Sequence, residues 1–237
     1  MITDVVFDLD DTLCEFSAAR RRGVARACAF LPEERRAPAV DAWLRREPAL
    51  YAEFAAGRIS RETYRWLRFH EALLETGQVP SDHAAERQLV AAMNDAFMQE
   101  INDGVTVTPG AQACLDQLVR HQLHCHLLTN GPADSQRRRL SHLGLDRYLT
   151  HVFIAEEIGH FKPDPAAFSH ALGRIGRPAG CVVMVGDDLA ADIAPALRAG
   201  MHAIHYAPLG SGHRSAVSRF ADLALAIERL HPFGQGG

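Results

Sequence analysis

Lysine is almost missing from this chain: of its 25 basic residues one, Lys162, is lysine and the rest are arginine. Lysine is a compact point charge and arginine a planar fork, so they differ where one oxygen must be met end-on. Long apolar runs are missing too. None approaches the roughly 18 residues of a membrane span, so no membrane partner is expected. There is no excess of positive charge, the formal net charge being −4, which argues against nucleic-acid partners. The first residues carry Asp4 and lack a basic stretch leading into an apolar one, so no secretory leader is expected. Cysteine is sparse: Cys14, Cys28, Cys114, Cys125 and Cys181 make an odd set of 5 with no C-x-x-C pair. A reduced, cytoplasmic protein is the expectation.

What is present is enough apolar sequence for a full core. With 237 residues and 47% hydrophobic content, the chain can bury one large domain, or a core plus a smaller one. Val5, Val6 and Phe7 read as a buried strand that stops abruptly at Asp8, Asp10 and Asp11. Like charges held this close raise one another's pKa. A cation, or a reaction that uses the charge, would account for them; a solvated acidic turn is the plain alternative.

Beyond Thr12 the pattern is helical as far as Gly104. Residues 15–31 read as one helix ended by Pro32, and 39–55 as another that Pro48 kinks or splits. Ser60 is placed to cap a third, with Tyr64, Leu67 and Leu74 on one face and Gly77 as its stop. Ser81 or Asp82 would cap a fourth, with Leu89, Val90, Met93 and Phe97 inward. A strand-to-helix connection normally takes about 2–6 residues, so 14–104 is expected to be an inserted helical domain. Both tryptophans, Trp43 and Trp66, lie in it. Its arginines (Arg20–Arg22, Arg45, Arg46, Arg58, Arg61, Arg65, Arg68) alternate with glutamates and read mostly as solvated helix faces.

From Val105 strands and helices alternate. Strands are expected at 125–129, 152–155, 181–185 and 202–206, and helices at 109–121, 134–143, 165–175, 193–199 and 215–230. Strands separated by helices of this length predict an α/β fold with a doubly wound parallel sheet, formed by 1–13 and 105–237. The Phe-Gly-Gln-Gly-Gly tail is expected to be mobile. In such sheets ligands bind beyond the carboxyl ends of the strands. Polar residues gather there: Asp8-Leu-Asp10-Asp11-Thr12, then Thr129-Asn130-Gly131, then Gly186-Asp187-Asp188 with Asp192, and Lys162 in the loop after 152–155. His121, His124 and His126 beside Cys125 invite a metal reading, but such clusters are more often structural or exposed.

Taken in order, these four elements resemble the haloacid dehalogenase-like (HAD) superfamily of hydrolases. Asp-Leu-Asp-Asp-Thr-Leu at 8–13 and Leu-Thr-Asn-Gly-Pro at 128–132 look most like its phosphatases, nucleotidase-like and sugar-phosphate-phosphatase-like members included. The resemblance implies a Rossmann-like core, with 14–104 as a C1-type helical cap. It implies a Mg²⁺-dependent phosphomonoester hydrolase acting on a small phosphorylated metabolite, as a monomer or homodimer. Asp8 would be the nucleophile, forming an aspartyl-phosphate. Asp10 would protonate the leaving oxygen and then take a proton from water. Thr129 would donate to a phosphoryl oxygen, aided by Asn130 and Gly131, and Lys162 would bring positive charge. The side chains of Asp8 and Asp187 and the backbone carbonyl of Asp10 would ligate Mg²⁺. Thr12, Asp188 and Asp192 would support this set; Asp192 would orient Lys162 or a metal-bound water, and Asp188 is open between support and ligation.

The same resemblance weighs the rivals. Dehalogenase members lack the aspartate at the position of Asp10, and phosphonatase members use a cap lysine, which this chain does not have. A sugar-phosphate mutase, or a non-catalytic phosphate- or partner-binding module, remains as an alternative. Retention of Asp8, Asp10, Lys162 and Asp187 speaks against the module. Substrate choice is expected in the cap and at 13–17, with closure hinged near 13–17 and 101–108.

Overall fold

The computed structural model describes residues 1–207 and 217–230. The mobile-tail expectation, and the first two residues of the helix expected at 215–230, lie outside the described residues. The chain divides into two compact units, one of residues 1–15 with 106–237 and one of 16–105.

In the first unit β1 (Asp4–Phe7) is buried along its whole length and lies at the centre of a five-stranded sheet. With β2 (His124–Thr129), β3 (Leu149–Ile154), β4 (Val182–Gly186) and β5 (His202–His205), the order is β3-β2-β1-β4-β5 and every pairing is parallel. Helices cover both faces of such a sheet, so its central strands are uninterrupted apolar runs, as Val5-Val6-Phe7 and Val182–Val185 are. Phe7 lies level with Leu127 on one side and Val185 on the other, so three strands end within two residues of one another. Strand order reverses between β1 and β4, and that switch point is where an open α/β sheet forms its crevice. The fold is the expected doubly wound parallel α/β.

The connecting helices are α5 (Ala111–Arg120), α6 (Ala133–Leu143), the single turn α7 (Ala155–Ile158), α8 (Pro165–Ile175), α9 (Ala194–Arg198) and α10 (Phe220–Leu230). Val6, Leu128, Phe153, Phe168, Met184 and Ala196 form the core beneath one sheet face. Three details differ from the sequence reading. Pro109 precedes α5, which starts after Gly110 at φ +85°. β3 begins at Leu149, and α7 follows it directly before ending at Gly159. Before α9 the chain makes a wide, π-type turn over Leu189–Ile193, capped by the Asp188 carboxylate, which accepts from the N–H groups of Ala190 and Ala191 at 2.7 and 3.0 Å.

The second unit holds α1 (Phe16–Cys28), α2 (Glu33–Ala55), α3 (Arg61–Glu75) and α4 (His83–Asp103). Pro48 does not split α2. The helix begins six residues earlier than expected and runs for 23 residues through both Pro38 and Pro48. A mid-helix proline costs about 3 kcal/mol, and tertiary packing offsets it: Ala39, Ala42, Trp43 and Phe54 are buried on this helix. Trp43 packs on Phe97 and Phe69 with ring centroids 5.2 and 6.1 Å apart. The inward face of α3 is Tyr64, Arg68, Phe69, Ala72 and Leu73, whereas Leu74 is exposed, so the expected Leu67/Leu74 stripe is one residue out of phase. Ser60 and Asp82 are the caps of α3 and α4. Arg45 and Arg46 pair with Glu75 at the surface, as a solvated face should, but Arg68 is buried, lying 4.4 Å from the Phe97 ring centre and bonded to Asn94. Among the described residues no helix is long and apolar enough to cross a membrane.

Candidate active site

β1 delivers Asp8 to the carboxyl end of the sheet, where its N–H donates to the carbonyl of Val185 at 2.9 Å. Lys162 meets it there. The Lys162 ammonium donates to Asp8 Oδ1 at 2.7 Å and to Asp192 Oδ1 at 2.5 Å, and all three side chains are buried. Burial works against the lysine charge, but the two carboxylates outweigh it and hold Lys162 above its ordinary range. Burial pushes the Asp8 carboxyl well above the usual carboxylate range; Lys162 opposes the shift, and Asp192 and Asp10 add to it. One nitrogen serving two oxygens is a task for a point charge.

Asn130 holds the lysine's backbone. Its Nδ2 donates to the Lys162 carbonyl and its Oδ1 accepts from the Lys162 N–H, both at 2.8 Å. The Asn130 side chain is therefore committed to the Lys162 loop. Gly131 beside it stands at φ +117°, and a Cβ there would lie 2.7 Å from Gln136 Nε2, so only glycine fits. Thr129 is buried at the end of β2, its hydroxyl donating to the Asn130 carbonyl at 3.2 Å.

Asp10 faces a different group. Its Oδ1 accepts from Arg139 and its Oδ2 from Gln136 Nε2 at 3.1 Å, while the Cys14 thiol lies 3.6 Å from Oδ1. The next residue, Asp11, turns the chain at φ +58°, a conformation aspartate tolerates better than most side chains.

Asp187 follows β4, with Thr12 donating to its Oδ1 at 3.2 Å. Burial pushes the Asp187 carboxyl up to about 6, with Asp192 and Asp11 adding to the shift and Thr12 easing it. Asp8, Asp187 and Asp192 each present an oxygen such that all lie within 4.8 Å of one another. A cation would relieve that crowding, and a donor set made only of carboxylate oxygens suits a hard ion. Within this trio Asp192 is already bonded, through Oδ1 to Lys162 and through Oδ2 to the Asp188 N–H at 3.2 Å. Asp188 caps its turn and is not one of the trio. Gly186 makes room: a Cβ there would lie 2.3 Å from Asp192 Oδ2.

The histidines near β2 do not converge. His124 is exposed, while His126 is buried, 2.9 Å from Asp4 Oδ1 and stacked on His151. The aspartate trio is the one group of this kind among the described residues.

Comparison with known proteins gives this arrangement its family. A model of the haloacid dehalogenase-like hydrolases matches residues 4–200. The chain belongs to that family. This HAD-like hydrolase is 32% identical over 243 residues to a ribulose-1,5-bisphosphate 5-phosphatase of Halopiger xanaduensis, covering 95% of each chain. It is 30% identical to a pyrimidine 5'-nucleotidase of Streptococcus pneumoniae over 86% of its own length and 83% of the relative's. Among solved structures it is similar to a 2-haloacid dehalogenase of Pseudomonas syringae, with a TM-score of 0.71, 30% identity and coverage of 97% and 99%. The curated relatives place it in the phosphatase branch of the family.

Two members of this HAD-like site escaped the sequence reading: Gln136 and Arg139. Arg139 closes a run of three arginines, of which Arg137 is exposed and paired with Glu157. The available signal was spacing, since Gln136, Arg139 and Leu140 share the buried stripe of α6.

Proposed function

We propose that this enzyme hydrolyses phosphomonoesters of small metabolites through an aspartyl-phosphate on Asp8. The observation that carries the reading is Asp10. It sits two residues beyond the candidate nucleophile with both carboxylate oxygens engaged. An Asp8 oxygen attacks phosphorus, the bond to the leaving oxygen breaks, and Asp10 gives that oxygen its proton. Water then attacks the phosphoryl group and loses a proton to Asp10, releasing phosphate and restoring Asp8. Lys162, bonded to Asp8, is suited to offset charge on the phosphoryl oxygens. Thr129 and the backbone N–H groups at Asn130 and Gly131 are the candidate donors to those oxygens. Asp8, Asp187 and the Asp10 carbonyl would hold Mg²⁺, which supplies further charge compensation on the transferring group. Thr12 steadies Asp187, and Asp192 steadies Lys162.

The dehalogenase relative frames the rival chemistry. Breaking a carbon–halogen bond needs no proton for its leaving group, so a carboxylate at Asp10, two residues beyond Asp8, supports phosphoryl transfer instead. The test is a substrate panel with Mg²⁺ present: p-nitrophenyl phosphate, a sugar bisphosphate, a pyrimidine nucleotide and 2-chloropropionate. Phosphate release from one or more esters without chloride release is the expected result. Chloride release without phosphate release would overturn the reading.

A further inference from the structure

We propose that Arg139 and Gln136 of α6 are positioning residues for Asp10, fixing its carboxylate for proton transfer; this rests on the phosphatase reading above. Asp10 sits in the turn after β1, next to a residue at φ +58°, and its nearest sequence partner is the Cys14 thiol, 3.6 Å from Oδ1. Its grip comes from elsewhere. Arg139 holds Oδ1 and Gln136 holds Oδ2, so the planar group is fixed at two points rather than one. Arg139 is 2% exposed, and a guanidinium taken out of water needs such a partner. Gln136 is equally buried, and its Nε2 also donates to the Asn130 carbonyl at 2.6 Å. Asp10 is thereby joined to the loop that clamps Lys162.

α6 itself is anchored. Its Ala133 N–H donates to Glu156 at 2.6 Å, and residues 136 and 139, three apart, project from one face. A helix that supplies no nucleophile thus sets the place of the proton donor. Proton transfer needs the donor within about 2.6–3.2 Å of the leaving oxygen, and a misplacement near 1 Å costs on the order of 10²-fold. In the step served, the Asp10 proton moves to the leaving oxygen as the P–O bond breaks. The same carboxylate later accepts a proton from the attacking water.

The test compares kcat/KM for phenyl phosphate and p-nitrophenyl phosphate, two esters of similar shape, in wild type, R139A, R139K and Q136L. Phenoxide is the poorer leaving group and depends more on the donated proton. Arg139→Ala is expected to lose about 100-fold on phenyl phosphate and under about 10-fold on p-nitrophenyl phosphate. Gln136→Leu should show the same inequality at smaller size, and Arg139→Lys should recover part of the loss. Damage to the fold alone would lower both esters equally. Equal losses, or none, in the folded variants overturn the inference while leaving the phosphatase reading intact. If Arg139→Ala does not fold, R139K and Q136L carry the same comparison. A wild type inactive on both esters and on the metabolite panel would bring down the phosphatase reading, and this inference with it.

Discussion

Asn130 and Lys162 exchange two hydrogen bonds of 2.8 Å, side-chain amide to backbone amide, although they stand 32 residues apart. The clamp joins the loop after β2 to the loop that carries the only lysine of the chain. Each such bond is worth about 1 kcal/mol net, so Asn130→Ala should cost roughly 2 kcal/mol of stability. It should also lower kcat more than it raises KM, because what moves is the lysine's place. Chemical denaturation and steady-state kinetics check both, and an unchanged kcat would remove the clamp from the catalytic account.

Lys162 tests the point-charge argument. Lys162→Arg keeps the charge but replaces one nitrogen bonded to two carboxylates by a wider fork. Activity is expected to fall at least about tenfold, since a displaced group costs that much or more. Lys162→Met leaves Asp8 and Asp192 buried without their cation, and breaking such a pair typically costs about 3–5 kcal/mol. Near-wild-type turnover of Lys162→Arg would return the solitary lysine to coincidence.

Gly186 offers a steric test. A methyl group there would sit 2.3 Å from Asp192 Oδ2, inside any permissible contact. Gly186→Ala should displace the Asp192 carboxylate, loosen Lys162 and destabilise the fold by roughly 1–3 kcal/mol. A crystal structure of the variant with Asp192 unmoved, or an unaltered melting temperature, would contradict this.

Away from the site, His126 sets a pH dependence of stability. Burial pushes its pKa below the ordinary histidine value, and this outweighs the opposing pull of Asp4. The unfolded chain, with histidine near 6.5, then takes up the proton before the folded one does. Stability should be flat in this respect above about pH 6.5 and fall as the pH drops below it. His126→Gln should lessen the fall in melting temperature between pH 7.5 and 5.5. An identical fall in both proteins would show that His126 is not its source.

What could be read from sequence follows from the physics of a parallel sheet. Its strands are buried on both faces, so they appear as apolar runs, and the charges that follow them stand out. Asp8, Thr129, Asp187 and Asp192 follow such runs and Lys162 stands out as the lone lysine; the structure brings Asp8, Lys162, Asp187 and Asp192 together. Arg139 and Gln136 gave no such contrast: they lie on a helix among arginines, and their burial depends on a sheet assembled from distant segments. The same cause hid the course of α2, where packing of Trp43 and Phe54 overrides two prolines. It also hid the phase of α3, where Arg68 is buried and Leu74 is not.

The most direct test of the account is hydrolysis of p-nitrophenyl phosphate by wild type and Asp8→Asn, each with and without Mg²⁺. The account predicts Mg²⁺-dependent release by wild type and none above background from a folded Asp8→Asn. Substantial turnover by the Asp8→Asn variant would contradict it, because the phosphoryl group would then have another acceptor.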